Sequence, residues 1–197
     1  LAVLRRLKPF DMHLHYFDRH RLPQQVEKEL NLTWRPTVED MAKVCDIVTI
    51  NCPLHPETEN LFDEKMPSKM KRCAYIVNTA RRKIGNRDAI VRALESGELA
   101  GHASEAWFPQ PAPKDHSSRN MPHHGMTSHI SGASPSAQTR YAVGTPEILE
   151  CWFEKRPIIQ DYLIVDGCGL AGTGAHSYSA GNPLSGSKDA AKIKADV

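Results

Sequence analysis

Three polar residues stand at or just past short apolar runs, where a folded chain could present them to a charged small molecule: Asp18, Arg81 and His129. A carboxylate at the position of Asp18 accepts hydrogen bonds from both hydroxyls of an adenosine ribose. It also repels a 2′-phosphate, which favours NAD over NADP. Arg19 next door works against that repulsion, and an aspartate that merely turns the chain fits the same place. Arg81 can clamp a carboxylate through two parallel hydrogen bonds, although a surface arginine fits as well. His129 lies in Ser128-His-Ile-Ser-Gly132, and a lone histidine is more often structural than catalytic. Gln110 sits between Pro109 and Pro111, which restrict its backbone. His116, His123 and His124 invite a metal reading. The adjacent pair cannot share a helix face, and no cysteine or carboxylate completes a ligand set, so no metal is expected. His13 and His15 read as strand-edge or surface residues. No phosphate-binding P-loop, GxSxG or HExxH pattern occurs.

These residues need a scaffold, and the chain alternates strand and helix patterns. Strands are expected at Met12–Phe17, Leu32–Arg35, Asp46–Asn51, Ala74–Asn78, Leu99–Trp107 and Met126–Ile130. Helices are expected at Leu22–Leu30, Thr37–Val44, Asp63–Met70, Arg87–Ser96 and Ser134–Phe153. Thr37 caps the second, Gly97 closes the fourth, and Pro135 stands in the first turn of the last. Apolar, β-branched strands separated by helices imply a parallel sheet covered on both faces. Ligands of such sheets bind at the carboxyl ends of the strands. Those ends carry Asp18, Asn51–His55, Asn78–Arg81 and Glu105–Trp107. Four prolines between Phe108 and Pro122 make that stretch an ordered loop. The Gly- and Ser-rich tail at Gly181–Gly186 reads as flexible.

The sequence has 197 residues, 40% of them hydrophobic, enough for one ordinary core and a second lobe. With 25 basic and 23 acidic residues, the charge is too balanced for a nucleic-acid or membrane-surface protein. No apolar run approaches the roughly 20 residues of a membrane helix. Five scattered cysteines without a CxxC pair suit a reducing compartment such as the cytoplasm. Leu1–Leu7 reads as the middle of an amphipathic helix without a cap, so the beginning of the chain is expected to lie before Leu1.

Taken together, Asp18-Arg-His-Arg-Leu22, Asn51-Cys-Pro-Leu-His-Pro-Glu-Thr58, Tyr75-Ile-Val-Asn-Thr-Ala-Arg81, Arg92–Gly97, Trp107–His116 and His129–Gly132 resemble NAD-dependent formate dehydrogenases. So does Ala171–Tyr178, and the resemblance covers essentially the whole chain. The Pro-Gln-Pro loop followed by His-Ile-Ser-Gly separates that family from its D-2-hydroxyacid dehydrogenase relatives. The resemblance implies an α/β fold: a Rossmann-type doubly wound parallel sheet, here without its first strand and glycine loop, and the C-terminal part of a flavodoxin-like catalytic domain. Residues 1–130 would form the truncated NAD-binding domain, and 131–197 the crossover helix and the catalytic-domain part.

The resemblance also implies roles. Arg81 would hold the formate carboxylate, with His129 beside the substrate and bonded to Gln110. Asp18 would bind the adenosine ribose and Arg19 would pack by the adenine. Pro53, Leu54, His55, Pro56, Glu57 and Thr79 would line the coenzyme. Glu105 would face the carboxamide, Ile130, Ser131 and Gly132 would line the nicotinamide end, and Ser177 would close over the coenzyme. The partners implied are NAD, formate and a second copy of the chain. Three departures stand out. Glu105 replaces an aspartate and His123-His124 a Tyr-Asn pair. Arg82 replaces a glycine, at a place whose backbone angles an arginine would tolerate poorly. The alternatives are a D-2-hydroxyacid dehydrogenase, which would need Glu at position 110, and an inactive dinucleotide-binding remnant. The fragment by itself is not expected to turn over.

Overall fold

Six short parallel strands, joined by helices and turns, organise the first 129 residues. The computed structural model describes residues 1–54, 56–159 and 162–163 and the backbone of Val165–Asp166 and Gly169–Leu170. In chain order the first unit runs α1 (Ala2–Leu7), β1 (Leu14–Tyr16), α2 (Gln24–Leu30), β2 (Leu32–Trp34), α3 (Val38–Ala42) and β3 (Ile47–Ile50). It continues through α4 (Met66–Lys69), β4 (Ala74–Asn78), α5 (Arg87–Glu95), β5 (Leu99–Ser104) and β6 (His124–Met126). β1 pairs with β2, Tyr16 opposite Trp34. β3-β4-β5-β6 form a second sheet in that order, every pair parallel.

This is the α/β, Rossmann-type arrangement, but the sheet is in two pieces. In the doubly wound order 3-2-1-4-5-6 the opening strand separates the 2-3 wing from the 4-5-6 wing. β1 and β2 match the first wing and β3 onward the second. Among the described residues no strand pairs with both β1 and β3, so no hydrogen-bond ladder joins the two wings.

The core lies between the larger sheet and its helices. Val48, Ile50, Ile76 and Leu99 from the strands meet Ile90, Ala93 and Leu94 from α5, with Phe62, Met66 and Ile84 from the connections. α5 starts where Asn86 accepts from the Ala89 amide and stops before Gly97, whose φ of +72° suits glycine. Burying Ile90 and Leu94 contributes about 2 kcal/mol each. Thr37 caps α3 through the Asp40 amide, as its position in the sequence predicts.

Three expectations are corrected. The last strand is His124–Met126, not Met126–Ile130: the β5 ladder reaches Met126, and a final bond from the Thr127 amide to the Ser104 carbonyl ends it. His129 therefore sits in the loop beyond. The helix expected over Asp63–Met70 shrinks to one turn around Pro67. β5 stops at Ser104, where the side chain diverts to the carbonyl of Asn78 and the amide of Ala106.

A second unit begins at Ile130. It contains a 3-10 turn, Ser131–Ala133, and the long helix α6 (Pro135–Phe153), capped by Ser134 with Pro135 in its first turn. β7 (Val165–Asp166) and β8 (Gly169–Leu170) pair antiparallel. Among the described residues no helix is long and apolar enough to cross a membrane.

Two buried groups set the acid limit of the first unit. Bonds from Arg21 and Tyr16 pull the Glu27 carboxyl down to about 2, from 4.5. Burial, then the charge of Arg82, pushes His102 down to about 4, from 6.5. In both cases the unfolded chain binds a proton that the folded chain refuses, so stability rises with pH across each window. Stability is expected to be full above pH 6.5. It falls from 6.5 toward 4 through His102, by order 3 kcal/mol, and falls again from 4.5 toward 2 through Glu27. Denaturant midpoints across this range check it: the deficit of Glu27→Gln at pH 7 narrows toward pH 2. A constant deficit rules out the Glu27 contribution.

Candidate active site

Because the strands within each wing run parallel, their carboxyl ends emerge on one edge, and the loops leaving those ends carry the candidate residues. After β1, Asp18 is exposed and its Oδ1 accepts from the His20 amide at 2.9 Å. The carboxylate therefore closes a local turn while remaining at the surface. Arg19 reaches across to the loop after β3, with Nη1 3.7 Å from Oε2 of Glu57. In that loop Pro53 is half-buried, and Leu54, Pro56 and Glu57 are exposed. Thr58 Oγ1 donates to the Pro53 carbonyl at 2.7 Å and closes the loop. Burial pushes the Cys52 thiol up, and the charge of Asp18 adds to the shift. His55 lies outside the described residues.

The loop after β4 is framed by a residue that the sequence reading placed at a strand end but gave no role. Asn78 is buried at the strand end; its Nδ2 donates to the Arg81 carbonyl at 3.0 Å and its Oδ1 accepts from the Ala80 amide at 3.1 Å. Ser104 Oγ donates to the Asn78 carbonyl at 2.7 Å, tying this loop to the end of β5. The available signal was a polar residue closing the apolar run Ala74–Val77. The frame leaves Thr79 and Arg81 exposed; the Arg81 guanidinium donates to the neighbouring Ala80 carbonyl at 2.9 Å. Glu105 is buried directly after β5.

Arg82 corrects the expectation of strain. It lies in a 3-10 turn, Arg82–Ile84, and is absent from the positive-φ residues. Its side chain is buried, and Nη1 donates to the Gly85 carbonyl at 2.8 Å. Burial lowers it to about 10. Among the described residues no carboxylate lies within ion-pair distance of it. A buried charge without a partner costs more than a well-packed apolar side chain of its size. Arg82→Met is therefore expected to keep or raise the melting temperature, as calorimetry would show. A drop of more than about 4 °C, roughly 1 kcal/mol in a domain this size, would show that the bond to Gly85 outweighs desolvation.

The proline-rich loop is ordered by His116, Arg119 and Trp107. His116 donates through Nε2 to the Phe108 carbonyl at 3.0 Å and accepts at Nδ1 from the Ser118 amide at 3.2 Å. Trp107 packs edge-on against His116, and its Nε1 donates to the Thr127 carbonyl at 2.8 Å. The Arg119 guanidinium covers the Trp107 ring and donates to the carbonyls of Ala112 and Pro113. The Phe108–Pro109 and Gln110–Pro111 peptide bonds are cis. This latch holds the loop on the segment leading to His129, and the structure brings the two expected partners together: His129 Nδ1 lies 3.4 Å from Gln110 Oε1. With the amide oxygen as acceptor, Nδ1 is the donor in this pair. His116 thus serves the loop, and His124 Nδ1 accepts from the Met126 amide. Among the described residues no three His, Cys, Asp or Glu side chains converge on a metal position.

Ile130, Ser131 and Gly132 open the second unit and are exposed; Gln138 Nε2 donates to the Gly132 carbonyl at 2.7 Å. Ser177 and the Ala171–Tyr178 run lie outside the described residues.

Residues 1–131 match the family described as D-isomer specific 2-hydroxyacid dehydrogenase, NAD binding domain. The whole chain is 67% identical to a formate dehydrogenase of Pseudomonas sp. (strain 101), of which it covers 49%. Among solved structures, a Granulicella m. formate dehydrogenase superposes with a TM-score of 0.79 at 62% identity, over 87% of this chain and 46% of that one. An NAD-dependent formate dehydrogenase from Staphylococcus aureus, solved with NAD, gives 0.66 at 42% identity, over 80% and 46%. The chain spans about half the length of the curated relatives it matches.

Proposed function

This chain belongs to the D-isomer specific 2-hydroxyacid dehydrogenase family through its NAD-binding domain, and from that premise we propose that it forms the coenzyme half of an NAD-dependent formate dehydrogenase. The carrying observation is the pairing of Gln110 with His129 at 3.4 Å, which joins the loop after β5 to the one after β6. Residues 1–130 act as most of the coenzyme domain, and those from 131 as the crossover helix and part of the catalytic domain.

The exposed carboxylate of Asp18, turned at the end of β1, suits a ribose diol. Arg19 and Glu57 bridge the loops after β1 and β3, where an adenosine would lie, with Pro53, Leu54, Pro56 and Thr79 on loops of the same strand ends; His55 keeps the coenzyme role that the family resemblance implies. Glu105 serves the carboxamide, Ile130, Ser131 and Gly132 the nicotinamide end, and Ser177 the closure. When bound, NAD supplies the hydride acceptor.

The remaining chemistry falls to Arg81, His129 and Gln110. Formate has no hydroxyl, so no proton leaves a substrate oxygen and no general acid–base pair is needed. The negative charge of formate departs with the hydride as carbon dioxide forms. Arg81 binds and orients the anion through its fork of donors. Gln110 orients the His129 ring as an acceptor that brings no charge of its own to the substrate. Excluding water from the site favours the loss of charge.

The protein acts as a homodimer in the cytoplasm; the free thiols of Cys45, Cys52, Cys73 and Cys151 support a reducing compartment. Formate-dependent NADH formation by the complete gene product, with glyoxylate reduction by NADH as the matched control, tests the assignment. Formate activity alone supports it. Glyoxylate activity alone moves the protein to the hydroxyacid branch, and neither activity in a protein that binds NADH overturns the enzyme reading.

A further inference from the structure

We infer that Glu27, on α2 and outside every loop that carries a candidate ligand, is a positioning residue for the adenosine end of the coenzyme: with Tyr16 and Arg21 it clamps the turn that presents Asp18. The inference deepens the reading above and rests on Asp18 as the ribose ligand.

Tyr16 ends β1, two residues before Asp18. Its hydroxyl accepts from the Leu22 amide at 2.9 Å, which closes residues 16–22 into a loop with Asp18 and Arg19 on its outer side. The same hydroxyl donates to Glu27 Oε1 at 2.6 Å. One hydroxyl can do both, having one proton and two lone pairs. Arg21, inside the loop, sends a bidentate fork to Glu27, Nε to Oε1 at 2.8 Å and Nη2 to Oε2 at 2.9 Å. Its guanidinium carbon also lies 5.2 Å from the centre of the Trp34 ring on β2. The loop is therefore tied at its base through Tyr16 and along its flank through Arg21, and both ties end on one carboxylate. Glu27 is only 7% exposed, whereas Asp18 and Arg19 are at the surface.

A two-oxygen contact to a ribose diol depends on the direction of the carboxylate as well as its charge. Asp18 takes its direction from a turn held by the His20 amide, and that turn takes its place from the clamp. Small displacements of a positioning group are costly, since contacts made at hydrogen-bond distance tolerate little error. Loosening the clamp leaves the Asp18 carboxylate intact but unaimed. The loss falls on the adenosine end of the coenzyme, while the nicotinamide end, carried by other loops, is spared.

The test measures binding of ADP-ribose and of nicotinamide mononucleotide to the complete gene product by calorimetry, together with the melting temperature. The variants are Tyr16→Phe, Arg21→Met, Arg21→Lys and Glu27→Gln, with Asp18→Ala as the direct-ligand control. Arg21 is exposed along its stem, so its replacement leaves the fold intact even if Glu27→Gln does not. Tyr16→Phe and Arg21→Met are expected to weaken ADP-ribose binding about 5–10-fold, near 1 kcal/mol, and Arg21→Lys less. Nicotinamide mononucleotide binding stays unchanged, and the preference for ADP-ribose over 2′-phospho-ADP-ribose declines in the same order. If Asp18→Ala weakens ADP-ribose binding while Tyr16→Phe and Arg21→Met do not, the clamp is refuted and the ribose ligand stands. If Asp18→Ala itself has no effect, the ribose assignment fails and the clamp has nothing to position. Equal weakening of both ligands, tracking a lower melting temperature, reduces Glu27 to a fold-stabilising residue and also refutes the inference.

Discussion

Replacing Arg81 with alanine is expected to lower kcat/KM for formate by about 10³-fold, or roughly 4 kcal/mol, within the range for removing one partner of a desolvated charge pair. In the proposed reaction the carboxylate of formate is almost the whole substrate. No remote part of the molecule can compensate for a lost anchor. Asn78 and Ser104 hold the backbone around Arg81 through the bonds that end β4 and β5, so the variant retains its loop and loses only the guanidinium. NADH binding should stay within about twofold, because most of the proposed adenosine-side contacts lie after β1 and β3. Arg81→Lys keeps the charge but not the planar fork, and is expected to recover part of the loss in KM while leaving kcat low. Steady-state kinetics with formate and a fluorescence titration with NADH are the two measurements. Near-normal formate kinetics in Arg81→Ala would remove the anion clamp from the mechanism.

Gln110→Glu should separate formate oxidation from hydroxyacid chemistry. A carboxylate 3.4 Å from His129 Nδ1 raises the proton affinity of the ring and converts it to an imidazolium beside the substrate. Formate loses its negative charge on the way to carbon dioxide, so the added positive charge stabilises bound formate more than the transition state. The expected result is a kcat about 10²-fold lower, with KM for formate unchanged or reduced and NADH affinity intact. The same imidazolium can donate a proton to a carbonyl oxygen, so glyoxylate reduction should rise from its wild-type level. The loop itself is held by His116, Trp107 and Arg119 and not by the Gln110 side chain, so the substitution changes charge without releasing the loop. Equal losses in formate turnover and NADH binding would show that position 110 acts through the fold instead.

The local chemistry of this chain was legible in its residues. Apolar β-branched runs marked β3 and β4, but the expected cover on both faces is not met: burial alternates along them, with Ile47 and Tyr75 exposed. Thr37, Gly97 and Pro135 punctuate helices for reasons confined to one turn of backbone. Carboxyl-end residues followed from strand direction alone, and so Asp18, Arg81 and Glu105 were identifiable as candidates. What failed locally did so where a long-range bond competes with a local pattern. β5 ends early because Ser104 turns to Asn78, and β6 starts early because its register is set by β5 and not by its own composition.

The tertiary structure alone decided which of these residues act together. No periodicity links Gln110 to His129 across 19 positions; the His116–Trp107–Arg119 latch does so by fastening a loop to the segment after β6. No motif announces that Asn78 frames Arg81 or that Glu27 stands behind Asp18, because each works through backbone amides or a neighbouring side chain that any sequence supplies. The burial of Arg82 was equally hidden: residue type predicts a surface cation, while the space beneath the turn at Gly85 takes it in. Residue types and strand order thus determined what chemistry the chain carries and on which edge. The distances that make the chemistry a site depend on side chains far apart in sequence, which only packing brings within reach of one another.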